Sequence, residues 1–341
     1  MIGSEQTMKN KKVGVFIIFI AIIGIAIGIN YTKNNLNSNF IAYIPNAADG
    51  TISVIDVKRS ELVDNIKVGE RVSDGIGTTP DGKKLYTGGA EDGKVFVYDI
   101  KTKNLIKTID TGKNVHGIDI TPDGKYVYIA SGALQVDDEF DYIQIIDTKK
   151  DEIIKTIKSN GKSPAHIDFS KDSKFAFISN VMSNNVSIMD VEKSEIVGNV
   201  KVGLMPNELE PSPDDKILYV ANVQDGSLSI VDVEKKKEID RIEVSPGTHG
   251  VAVSNDGKYI WTTNRFSKSV TVIDIDEKKV IKTITIKGEP NHVSIVPKGR
   301  YAYVTSLKSN NLTVIDINTY EIIDEIKLGK DPHEIDFINI K

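Results

Sequence analysis

Imidazole is the side chain best suited to bind a transition metal or move a proton near neutral pH. The sequence has five, and all fall at one place in a repeated frame. The short apolar segments of the repeat align on their first core aliphatic: Ile76, Ile118, Ile167, Leu209, Val251, Val293 and Ile335. His116, His249 and His333 lie two places before it, and His166 and His292 lie one place before it. The two other repeats carry Asp74-Gly75 and Asn207-Glu208 there. Two readings follow. Imidazole in such a turn can bond a neighbouring repeat's backbone and serve structure alone. Alternatively, the five rings can form a ligand or metal site, for which iron, copper and zinc are the suitable ions.

One place after the same aliphatic stand Asp119, Asp168, Glu210 and Asp336, against Gly77, Ala252 and Ser294 in the other repeats. Strand alternation puts them on the side of His166 and His292. They either accept backbone N–H bonds from an adjacent repeat or form a cation site, with Asp119, Asp168 and Asp336 as the candidate metal ligands. Arg265 and Arg71 lie in loops of the same end and could pair with carboxylates of a ligand.

The elements that position these residues form a repeat. A β-branched run ending in Asp recurs at Asp56, Asp99, Asp147, Asp190, Asp232, Asp274 and Asp316, with spacings of 43, 48, 43, 42, 42 and 42 residues. Each period has a short apolar strand, a turn such as TPDGK or SNDGK, an aromatic strand such as YVYIAS or YIWTTN, the strand ending in Asp, and an outer strand alternating Lys with aliphatics. Four strands in about 42 residues is the signature of a propeller blade. The first repeat starts at Phe40 without an innermost strand, and residues 333–340 supply a spare one, so pairing the two ends would close a ring. The expectation is an all-β, seven-bladed β-propeller over residues 40–341, with the histidines around the mouth of its axial channel. Trp261 is expected in the core, and the recurring Asp residues as turn caps. The 48-residue spacing reflects an insertion at about 132–141, whose acids suit a solvated loop.

The N-terminus is different. The basic stretch Met8-Lys9-Asn10-Lys11-Lys12 precedes Val13 to Ile29, which has no charged residue and is just long enough to span a membrane. Residues 1–29 read as a signal or transmembrane segment, either retained or cleaved, and 30–39 as a linker. The lysines would stay inside and the propeller would be exported. The expected location is the cell membrane, single-pass with the propeller outside the cytoplasm, or secretion if the segment is cleaved.

The second-strand endings AYIPN, AFISN, LYVAN, WTTN and AYVTS, with the S/T-P-D-G-K turns, resemble the Tyr-Val-Thr-Asn (YVTN) β-propeller repeats across residues 40–341. That superfamily includes surface-layer proteins and the haem d1 domains of nitrite reductases and their maturation proteins. The haem d1 domains have eight blades, against the seven counted here. The resemblance implies a haem d1-type tetrapyrrole, with one or two of the five histidines as axial ligands and Arg265 or Arg71 meeting the macrocycle's carboxylates.

Other classes recede. Lys plus Arg is 43 and Asp plus Glu is 48, a net charge of -5 without a basic stripe, which argues against nucleic acid. The absence of cysteine removes disulfides, thiol chemistry, Cys-ligated zinc, iron–sulfur clusters and covalent c-type haem. No nucleophile elbow, zincin motif or phosphate loop is present. Three functional expectations remain: a non-catalytic module binding a small molecule or protein at the histidine face, a tetrapyrrole protein of haem maturation, transfer or nitrite-linked redox chemistry, and a structural cell-surface scaffold. The cofactor is then none, haem d1 or a His-bound metal ion.

Overall fold

The computed structural model describes residues 39–90, 93–112, 114–132 and 141–339. The proposed membrane segment, the linker up to residue 38 and most of the insertion lie outside them. Every element of the described residues is a β-strand, and the strands form seven antiparallel sheets of four. This is a seven-bladed propeller. Six blades use consecutive strands. Blade 1 takes its outer three strands from Phe40–Lys67 and its inner strand from Asp336–Asn339, which pairs with Phe40–Tyr43. Closure therefore joins the two ends of the ring, as the spare terminal strand implies.

The repeat's small polar residues hold each blade's turns. The Asp ending each third strand accepts a backbone N–H from two or three residues on, at 2.9 Å for Asp56, 2.7 Å for Asp99, 2.8 Å for Asp147 and 2.9 Å for Asp190. Asp232, Asp274 and Asp316 do the same at 2.8, 2.9 and 2.9 Å. These are turn caps, as their position before the hairpin implies. In blades 1, 4, 5 and 6 the second strand ends in a buried Asn that donates Nδ2–H to a third-strand hydroxyl, for example Asn180 to Ser187 at 2.9 Å and Asn264 to Thr271 at 2.8 Å.

The core lies between blades. The buried aromatic of each second strand (Tyr43, Tyr86, Tyr128, Phe177, Tyr219, Trp261 and Tyr303) faces the next blade. Trp261, 1% exposed, packs with Val293, Ala302, Val304 and Ile315 of blade 7, with Tyr320 at 5.9 Å. Tyr86 instead bonds Asp151 of blade 3, where Lys84 neutralises the carboxylate at 2.7 Å. Burying an aromatic at each of these contacts contributes about 1.5–3 kcal/mol apiece, which couples the blades into one ring.

Candidate functional site

The inner strands Val115–Ile120, Pro164–Phe169, Pro206–Pro211, Thr248–Val253 and Pro290–Ile295 each carry a bulge. In blade 4, Pro164 pairs with Asn180 and Ile167 with Ile178, so Ala165 and His166 stand opposite Ser179 alone. A bulge re-aims side chains. Here it turns two consecutive residues toward the axis, where simple alternation would send one away. The adjacent polar pairs Asn207-Glu208, Asn291-His292 and His333-Glu334 are its mark in the sequence.

Three layers of side chains result. The upper layer holds Asp74, His116, Asn207, His249, Asn291 and His333, the middle layer His166, Glu208, His292 and Glu334, and the lower layer Asp119, Asp168, Glu210 and Asp336. Glycine fills the remaining middle positions where backbone approaches backbone. A Cβ on Gly117 would lie 2.1 Å from the Ala165 carbonyl oxygen, and one on Gly75 2.1 Å from the Ile118 nitrogen.

The five imidazoles pack on one another. His249 and His292 have ring centroids 5.0 Å apart, His166 and His292 5.3 Å, His116 and His166 5.5 Å, and His292 and His333 5.9 Å. His116 is half-buried and the other four are buried. They form a packed cluster at the head of the axis, where the bulges bring upper and middle residues together.

Their charge states divide by partner. His333 Nδ1 lies 3.2 Å from Asp74 Oδ1, and His116 Nε2 lies 3.3 Å from Asp74 Oδ2. Burial opposes charge on Asp74, yet His333 and His116 outweigh it and hold the carboxyl well below its usual range. Burial likewise opposes charge on His333, but Asp74 and Asp331 push its pKa up to about 9. His166 Nδ1 donates to Glu334 Oε1 at 2.6 Å, and this carboxylate raises the imidazole despite burial. His249 and His292 go the other way. Burial first, and the charge of Arg265 among their neighbours, hold both well below the usual value, so they are neutral.

His249 is further defined. Its Nδ1 lies 3.1 Å from the backbone oxygen of Asn291 in blade 7. A carbonyl only accepts, so Nδ1 carries the proton and Nε2 the lone pair. Arg265 donates from Nε to Asn291 Oδ1 at 2.9 Å, and Asn291 Nδ2 lies 3.1 Å from His333 Nδ1. Exposed Phe266 follows Arg265. Arg71 is exposed in the link before blade 2, and Arg265 supplies positive charge acting on His249, His292 and Glu208.

The carboxylates serve partly as inter-blade bonds, one of the two roles their position allows. Asp336 Oδ2 accepts Thr78 N–H at 2.6 Å, Glu334 Oε2 accepts Ile76 N–H at 3.3 Å, and Glu208 Oε2 accepts Val251 N–H at 2.9 Å. Asp119 and Asp168 instead accept the next N–H of their own strands, at 2.7 and 2.6 Å. Burial raises five carboxyls of the middle and lower layers, Glu208 to about 7 and Asp336 to about 6, with Asp119, Asp168 and Glu210 also raised. Among the described residues no three His, Asp or Glu side chains stand together as a ready metal site. The insertion acids Asp137, Asp138 and Glu139 lie outside the described residues. Asp74 and Glu208 align with the histidines in sequence, whereas Glu334 and Asn291 join the site only through the inward turn of both residues of each pair.

Comparison with known proteins is consistent with this architecture. No curated protein matches the chain. A chain of Kuenenia stuttgartiensis hydrazine synthase superposes with a TM-score of 0.73 at 23% identity, covering 80% of this chain and 91% of that one. A functionally unknown protein from Desulfotomaculum acetoxidans superposes with a TM-score of 0.77 at 14% identity, covering 88% and 99%. The dihydro-heme d1 dehydrogenase NirN, in complex with DHE, gives 0.65 at 15% identity, covering 87% and 74%. Identities this low support the shared fold alone. In sequence, residues 36–135 match the Cytochrome D1 heme domain. Residues 119–339, more than half of the chain and five of its blades, match a model of propellers, and the chain belongs to the YNCE-like beta-propeller family.

Proposed function

We propose that the protein is an extracytoplasmic binding module that holds an iron tetrapyrrole of the haem d1 type at the head of the propeller axis, with His249 Nε2 as the donor to the metal. The observation that carries this reading is the state of His249. Its tautomer is set by the Asn291 carbonyl, its ring is neutral, and no hydrogen bond to Nε2 is found among the described residues. A ligating histidine commonly has its other ring N–H held by a backbone carbonyl or carboxylate in this way. Arg265, anchored on Asn291, supplies a guanidinium for the macrocycle's carboxylates. Exposed Phe266 offers an apolar surface beside it. The donor set therefore fits the group that the partial match to the Cytochrome D1 heme domain brings to mind.

The bound tetrapyrrole would supply a redox-active iron. The chain's own contribution is binding, orientation and charge. The Asn291 carbonyl holds the imidazole plane, and the cationic His333 close by adds positive potential to that of Arg265. Residues 13–29 would place the propeller at the outer face of the membrane. The module binds, and any redox partner or recipient protein would meet it at this same face.

The test is an absorbance titration of the full chain in detergent with haem b and with haem d1. A saturable Soret shift is expected, abolished in H249A and retained in H116A. A shift that survives H249A would overturn the assignment. No shift with either haem would leave the surface-scaffold reading in its place.

A further inference from the structure

Below the histidine cluster the axis widens into a cavity of about 180 Å³. Six carboxylates line it, from the middle and lower layers, and neither lysine nor arginine does. The only basic side chain in its wall is His166, whose Nδ1 donates to Glu334. Carboxylates gathered in a half-buried space repel one another unless a cation compensates them. An acidic wall alone would not single out an ion, but His166 adds a separate feature. The residue is 3% exposed, its Nδ1 is on Glu334 Oε1 at 2.6 Å, and its Nε2 is buried with no hydrogen-bond partner. An imidazole with one nitrogen bonded to a carboxylate and the other left over is the arrangement of a metal-ligating histidine. Asp168, two residues on along the same strand, lines the same cavity.

We propose that this cavity binds a divalent first-row transition metal ion through His166 Nε2, with Asp168 and its neighbouring carboxylates accepting hydrogen bonds from the ion's remaining water ligands. Imidazole favours such a metal over calcium or magnesium, which take oxygen ligands. Direct protein ligation is sparse, because no three donors stand together as a ready site among the described residues. The volume accommodates water, each molecule taking roughly 30 Å³. The ion takes the Nε2 lone pair, any proton on that nitrogen passing to solvent, and no electron transfer is involved. The site shares neither ligand nor test with the tetrapyrrole reading.

Isothermal titration of the chelator-treated full chain with MnCl2, ZnCl2 and CaCl2 tests this. One saturable site for Mn2+ and Zn2+ is expected, with Ca2+ at least tenfold weaker. H166Q and D168N should each weaken Mn2+ at least tenfold, and K308A, at an exposed lysine that does not line the cavity, should leave it unchanged. Electron spin-echo modulation of Mn2+ bound to the unmutated protein should show a directly coordinated imidazole nitrogen, whether or not the variants fold. Absence of a saturable site overturns the proposal, as does Mn2+ bound without nitrogen modulation or Ca2+ bound as tightly as Mn2+.

Discussion

His249 in blade 6 donates its Nδ1 proton to the backbone oxygen of Asn291 in blade 7, 3.1 Å away. The same Asn291 side chain accepts from Arg265 Nε at 2.9 Å. One residue thus sets the tautomer of an imidazole and the direction of a guanidinium, from opposite ends of its own covalent frame.

If Arg265 meets a ligand carboxylate, R265A should weaken tetrapyrrole binding without changing the absorption maximum of what does bind. A charge-assisted hydrogen bond contributes about 1.5–3 kcal/mol, so the loss in affinity should be on the order of ten- to a hundredfold. The titration that tests H249A reads it. An equal affinity in R265A would remove the arginine from the site.

The His333–Asp74 pair predicts a pH dependence of stability. The folded-state pKa of His333, about 9, lies above the unfolded value near 6.5. Its contribution is therefore complete below pH 6.5 and lost as pH rises through 9. The shift corresponds to a contribution on the order of 3 kcal/mol. Chemical denaturation of H333Q should show a smaller loss of stability between pH 6.5 and 9 than the unmutated protein. Parallel curves would contradict the pairing.

Gly117 should not tolerate a side chain. Its Cβ would lie 2.1 Å from the Ala165 carbonyl oxygen, which is backbone of the next blade and cannot rotate aside. G117A is expected to cost about 3 kcal/mol, at the upper end of typical overpacking, visible as a lowered Tm. G112A is the control for the general cost of Ala at a loop glycine, since a Cβ there meets nothing within 4 Å although its φ of +70° adds its own strain.

Closure rests on the C-terminal strand. Removing residues 336–341 strips blade 1 of its inner strand and takes away Ile338, which is 6% exposed between blades 1 and 2. Loss of Ile338 and Phe337 alone should cost about 3–6 kcal/mol, and the freed edge of Phe40–Asn46 invites pairing with another chain. Limited proteolysis should cut the truncated protein first near Phe40, and light scattering should show its association.

Much of this molecule is legible in its sequence, for a physical reason. Each blade repeats the same small set of local requirements. The Asp caps, the Asn side chains under the hairpins and the aromatics between blades each depend on residues only a few positions apart or one repeat away, so periodicity exposes them. The spare C-terminal strand is legible for the same reason, as one repeat's missing part. The site is less so. Alternation places His166 with Asp168 correctly, since both face the axis from one strand. It fails for His249 and His333, which a bulge turns inward into the packed cluster. Glu334 goes unnoticed because its partner His166 is 168 residues away. Arg71 and Arg265 look equivalent in sequence, and only the fold separates the exposed one from the one held on Asn291.

The layered axis separates scaffold from content. The contacts that keep a blade in shape sit at its turns and between its sheets, while three positions on each inner strand project toward the axis and carry different groups from blade to blade. The middle position admits a side chain only where the neighbouring backbone stands clear, as it does beside His166 but not beside Gly117 or Gly75. A designer could therefore exchange imidazole and carboxylate blade by blade where a side chain already stands, leaving the ladders outside the axis and the glycine positions as they are.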